Sequence, residues 1–206
     1  MNAENVLLGI AAVAAVIATV VFGISVFFPS ADFSWLTGRV SDTATINLTV
    51  ESSLAINFTT DNINWGSGKV SGGSPNATLD TSAGANNVSG GNWTGNTAGL
   101  IIANIGNVIV NLSLKSGKNA TTLLAGSSPY YQYNVTNNEG ASCIRNSTGF
   151  AFGLYYDVNT TGDGTLLCDI FNYTDTNDTM RIDIRLVVPS DSVTGALSDT
   201  ITATAA

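Results

Sequence analysis

The sequence contains no histidine. That removes the commonest general base, the usual pH switch and the main imidazole metal ligand together. Ser–His and Cys–His nucleophile pairs are excluded with it. Charge is also scarce, at 11% of residues, with 15 acidic against 7 basic side chains and a net charge of −8. Soluble domains usually carry about a quarter charged residues, so this surface must be polar by other means. The 45 Ser and Thr and the 22 Asn supply that polarity. A basic stripe of the kind phosphate backbones require is missing, which argues against a nucleic-acid partner. Two cysteines are too few for a structural zinc site. In an exported chain they read as one disulfide, Cys143 to Cys168. Closing a loop of that length would stabilise the fold by about 3.5 kcal/mol in the chain-entropy picture.

Long apolar runs are confined to the N-terminus. Residues 6–28 contain no charge, with Thr19 and Ser25 as the polar side chains. As a helix they would span roughly 34 Å, enough to cross a bilayer core. Pro29 stops the helix, and Phe33 and Trp35 follow it like an interfacial anchor. Gly9, Ala11, Ala12, Ala14, Ala15 and Ala18 would let neighbouring helices approach closely. The expected organisation is an apolar helix over residues 1–30, a linker over 31–42 and a β-domain over 43–206.

The body reads as strands of period 2. Ala44, Ile46, Leu48 and Val50 alternate with Thr43, Thr45, Asn47 and Thr49. Leu54, Ile56 and Phe58 alternate, Val108, Val110, Leu112 and Leu114 share a face, and Ile201, Ala203 and Ala205 close the chain. The clearest stripe is Met180, Ile182, Ile184, Leu186 and Val188, with Arg181, Asp183 and Arg185 opposite. Such alternation predicts half-buried antiparallel strands. Further strands are expected at 97–104, 130–136, 149–157 and 166–173. Nine or ten short strands predict a mainly β chain with an immunoglobulin-like β-sandwich behind the helix. Residues 66–96, rich in Gly, Ser, Asn and Thr, are expected to form a long surface loop or a weak hairpin.

Glu4 before an apolar helix of this length, with a β-domain behind it, resembles a type IV pilin or archaellin subunit. The runs Ser41–Val50, Ile63–Gly68, Asn104–Val108 and Val188–Thr204 look like archaeal cell-surface proteins with one N-terminal helix and a Thr/Asn-rich β-domain. The layout is also similar to fibres that polymerise by donating a strand. These resemblances imply a surface location, an architecture and self-association rather than an enzymatic activity.

Asn-X-Ser/Thr occurs at Asn47, Asn57, Asn76, Asn87, Asn92, Asn111, Asn119, Asn134, Asn146, Asn159, Asn172 and Asn177, 12 sequons in all. Random placement of this many Asn, Ser and Thr would give about 5. The excess points to N-linked glycans, whose hydration would replace that of charges. Asn47, Asn57, Asn111 and Asn134 fall on the expected polar faces of their strands.

Searches for chemistry end in turns. Gly66-Ser67-Gly68-Lys69 and Ser116-Gly117-Lys118 do not complete a phosphate loop. Asp157, Asn159, Thr161 and Asp163, with Gly162 between them, match the first half of a calcium loop. Cys168 occupies the position where that loop needs its acid, so a polar hairpin turn is the competing reading. The expectation is therefore a non-enzymatic, cell-surface or extracellular protein without a cofactor, calcium aside. Its partners would be copies of itself, and the membrane through its helix. Three functions remain open: a filament subunit assembled by helix bundling or strand donation, a monomeric anchored adhesion protein, and an extracellular binding module or enzyme.

Overall fold

The computed structural model describes residues 43–206. The apolar helix over 1–30 and the linker over 31–42 lie outside these residues. No helix among the described residues is long and apolar enough to cross a membrane. The chain divides into a unit ending at Thr49 and a larger unit, Val50–Ala206.

The larger unit is mainly β, with two curled antiparallel sheets. Its strands are β1 (Ile56–Thr60), β2 (Asn76–Asp80), β3 (Val88–Ser89), β4 (Leu100–Asn104), β5 (Val110–Ser116), β6 (Tyr130–Asn137), β7 (Cys143–Asn146), β8 (Tyr155–Asp157), β9 (Thr165–Phe171), β10 (Thr179–Pro189) and β11 (Ile201–Ala205). One short helix, α1 (Ala120–Leu124), follows β5.

The first sheet is organised by β10, the longest strand at 11 residues. One of its edges pairs with β6 from Met180↔Asn137 to Val187↔Tyr130. Its other edge pairs first with β4 and then with β2. β1 extends the sheet beyond β4, β3 beyond β2, and β8 beyond β6. The second sheet has the order β11-β5-β9-β7.

The alternation in β10 explains its place. Met180, Ile182, Ile184 and Val188 are buried on one face and join Leu79, Ile102, Tyr133 and Val135 of the first sheet. Leu112, Leu114, Leu167 and Phe171 of the second sheet complete the same core. Burying each such side chain stabilises the fold by roughly 1.5–3 kcal/mol, so these residues set which faces meet. Asn104 ties the sheets by polar means. Its Nδ2 donates to Val108 O at 3.0 Å and Phe171 O at 3.3 Å, and its Oδ1 accepts from Gly106 N at 3.1 Å.

Two expectations need correction, and one open alternative is resolved. Residues 44–50 form no strand: Ile46, Leu48 and Val50 are 92%, 84% and 75% exposed. Alternation shows that a segment can pair, not that a partner lies within reach. The stretch 66–96 takes the weak-hairpin alternative rather than the loop, with β2 and β3 pairing antiparallel at Thr78↔Ser89 and Leu79↔Val88. It contains β2, a 3-10 turn at Gly84–Asn86 and β3, with Ala77 and Leu79 buried. Within 149–157, the strand is confined to 155–157, because residues 151–154 form a turn. The helix α1 went unforeseen. Asn119 caps it, accepting from Thr122 N at 2.8 Å while its own N–H donates to Thr122 Oγ1 at 3.0 Å, a reciprocal capping arrangement.

Candidate functional site

The expected functional positions are a scatter of surface amides, one disulfide and one polar turn, and the fold places them differently. Asn47, Asn57, Asn76, Asn92, Asn111, Asn119 and Asn146 are exposed, while Asn87, Asn159, Asn172 and Asn177 are half-buried. Several carry bonds through the amide oxygen. Asn92 Oδ1 accepts from Lys69 N at 2.7 Å, and Asn172 Oδ1 accepts from Thr174 N at 3.1 Å. Asn159 Oδ1 accepts from both the N–H and the hydroxyl of Thr161, each at 2.9 Å. The bonds of Asn159 and Asn172 are Asx turns, which Asn favours for backbone reasons, whereas Asn92 reaches a residue 23 positions away. All use the oxygen and leave Nδ2, the atom that a sugar would occupy, outside those bonds.

Asn134 departs from expectation. It lies on the face of β6 opposite Tyr133, as the alternation requires, yet only 8% of it is exposed. The ladder flanks it with Asp183 on β10 and Tyr155 on β8. Both faces of this central part of the sheet are covered, which a period-2 pattern cannot reveal. Peptide mapping of the native protein should therefore find glycan at exposed sequons such as Asn76, Asn111 and Asn146 and none at Asn134. A native mass equal to the bare 21.2 kDa polypeptide would remove the glycoprotein reading altogether.

Cys143 and Cys168 are bonded across β7 and β9, with Cα atoms 5.8 Å apart, and both are buried. Cys143 N also donates to Asn137 Oδ1 at 2.9 Å, which joins β7 to the end of β6.

Three of the four calcium candidates are engaged in other bonds. Asp157 belongs to β8, and its Oδ1 accepts from Gln132 Nε2 at 2.8 Å. Asn159 and Thr161 hold one another in the Asx turn. Asp163 is exposed in the hairpin before β9, where Gly164 has φ +88° and a Cβ would collide with Leu114 O. Among the described residues no three His, Cys, Asp or Glu side chains gather as a metal group would. The two phosphate-loop lookalikes are structural. Ser116 ends β5, Lys118 Nζ donates to Ser198 O at 2.7 Å, and Lys69 N donates to Asn92 Oδ1 at 2.7 Å.

The outer face of the first sheet holds a shallow depression of about 260 Å³ lined by Thr78, Tyr130, Gln132, Arg185 and Val187. Arg185 lies 3.7 Å above the Tyr155 ring, and its Nε donates to Gln132 Oε1 at 3.1 Å. Burial, and then the hydrogen bond to Asp80, push the Tyr155 hydroxyl up to about 12, so it stays protonated at physiological pH. The depression contains neither a nucleophile–base pair nor paired carboxylates.

Edge strands complete the inventory. β7, β8 and β3 are short, with four, three and two residues, and Arg145 and Asp157 put charges on the first two. β1 and β11 have five residues each, no charge and no proline. No signal in the sequence alone distinguishes these two groups, because edge position depends on pairing order.

These features define a class: a mainly β protein of two antiparallel sheets, cross-linked by a disulfide and densely furnished with exposed sequons. No protein-family model, curated protein or solved structure matches this chain.

Proposed function

We propose that the chain is a structural subunit of an extracellular, archaeal type IV pilus-like filament. The apolar helix over 6–28 packs in the filament core, and an immunoglobulin-like, N-glycosylated β-sandwich faces outward. The observation that carries an extracellular reading is the buried Cys143–Cys168 bond, since disulfides persist in oxidising compartments. The exposed sequons agree with it. A helix apolar on all sides must be removed from water by lipid or by identical helices, and its small residues favour close helix contact. The protein works by assembly rather than by catalysis.

Native protein should sediment as high-mass fibres, and electron microscopy of the cell surface should show them. Recovery of full-length protein solely as monomers extracted from membrane would replace this reading with that of an anchored surface protein.

A further inference from the structure

Exposed sheet edges pair with whatever strand they meet, and proteins that stay monomeric blunt them with charge, proline, bulges or brevity. Here the protection is one-sided. β7 is four residues long, carries Arg145 and is irregular against β9, and β8 is three residues long and carries Asp157. β11, Ile201-Thr202-Ala203-Thr204-Ala205, has none of these devices and pairs with β5 alone among the described residues.

The ladder shows which groups β11 leaves open. Asn111 and Ala206 exchange both bonds, at 2.8 and 3.1 Å, and Gly117 N donates to Thr200 O at 3.0 Å. Bonded pairs in an antiparallel ladder recur at every second residue. Thr200, Thr202 and Thr204 therefore bond to β5, while Ile201, Ala203 and Ala205 turn their N–H and C=O groups to the open edge. The side chains of those three residues are only half-buried against the core.

The same chain carries a segment suited to that edge. Residues 44–50 alternate Ala44, Ile46, Leu48 and Val50 with Thr45, Asn47 and Thr49, contain no charge, and belong to no strand. Ile46, Leu48 and Val50 are among the most exposed large apolar residues of the molecule. Leaving three such side chains in water forgoes roughly 1.5–3 kcal/mol each.

We infer that residues 44–50 of one copy add as a strand to the β11 edge of a second copy. This names the partner surface and rests on reading the chain as a self-assembling subunit. Alternation lets Ile46, Leu48 and Val50 cover the half-buried row beside β11, while Asn47 and its neighbouring Thr residues face water. Neither surface carries charge, so subunits of net charge −8 meet there without local repulsion. The backbone that follows the segment is held to the domain: Asn107 Nδ2 donates to Glu51 O at 2.8 Å, Ser53 N donates to Asn107 Oδ1 at 2.7 Å, and Asn107 N donates to Ser53 O at 3.1 Å. Gly106 lets residues 51–53 approach so closely, because a Cβ there would collide with Ser53 O.

Two variants of the full-length chain test this in detergent, where the apolar N-terminal segment is solubilised. Leu48→Asp places a charge on the donor and leaves the folded domain intact, because Leu48 is 84% exposed. Ala203→Pro removes an outward N–H from the acceptor and no bond to β5, the kind of edge position where proline is tolerated. Wild type should form oligomers in sedimentation velocity, each variant should associate at least about 100-fold more weakly, and an equimolar mixture should stop at dimers. Oligomers unchanged by Leu48→Asp would overturn strand addition, as would a melting temperature that falls in monomeric Leu48→Asp, which marks pairing within one chain. Native fibres that persist in both variants would reject this contact while leaving the helix-core filament standing. A wild type that forms no fibres but shows the dimer complementation would do the reverse.

Discussion

Removing the disulfide, as Cys143→Ala with Cys168→Ala or by reduction, is expected to lower the melting temperature by about 7–14 °C. The sequence separation of 25 gives an entropic contribution of about 3.5 kcal/mol, and each kcal/mol moves the midpoint of a domain this size by about 2–4 °C. The loss concentrates on one strand. β7 is paired with β9 through a ladder with two register shifts, and its other edge has no strand among the described residues. Without the covalent link, Ile144, Arg145 and Asn146 keep little besides this irregular ladder and the exposed Arg145–Asp169 ion pair at 3.2 Å, which contributes under about 1 kcal/mol. Hydrogen exchange should therefore report early loss of protection in β7 before global unfolding. Melts that superimpose with and without reductant, with both thiols alkylated, would refute the assignment.

Asp183→Ala is the substitution with the next largest expected cost, about 2–4 kcal/mol. Asp183 sits on the outer face of β10 and is 4% exposed. Its Oδ1 accepts from Thr81 Oγ1 at 2.7 Å and Arg181 Nη2 at 2.6 Å, and its Oδ2 accepts from Arg181 Nε at 2.9 Å. Thr81 Oγ1 in turn accepts from Ile184 N at 3.0 Å, and Arg181 Nη2 also donates to Thr97 O at 2.8 Å. One carboxylate thus fastens both ends of the 81–99 segment to the central strand. Alanine leaves a part-buried guanidinium without its counter-charge, and the lower half of the range allows for its access to solvent. Asp183→Asn keeps the acceptor for Thr81 and should lose less. Protease should cut within 81–99 first. A loss below about 1 kcal/mol with unchanged cleavage would show that the network does not hold the loop.

The strands legible in the sequence were those with one buried and one wet face. β5, β6, β9, β10 and β11 lie close to where their alternating residues put them, because period 2 maps directly onto that division. The failures share a cause. β2 was hidden in a stretch of small polar residues, since Asn76-Ala77-Thr78-Leu79-Asp80 offers only two apolar side chains and takes its stability from pairing with β10. Asn134 was misjudged because the face opposite the core is itself covered at that point, by neighbours more than 20 residues away in sequence. The polar turn at 157–163 was legible as a turn, while the engagement of Asp157 by Gln132 depended on the β6–β8 register.

Sequence alone therefore determined what depends on composition and local period: a mainly β chain, poor in charge, without histidine chemistry, with 12 sequons and two cysteines. Tertiary structure decided what depends on neighbours. It settled which amides stay exposed, that the buried Asp183 pairs with Arg181, that β7 and β8 are guarded edges and β11 is not, and that 44–50 belongs to no strand. Hydrogen bonding in a sheet is made between segments distant in the chain, and side-chain alternation fixes faces without choosing partners.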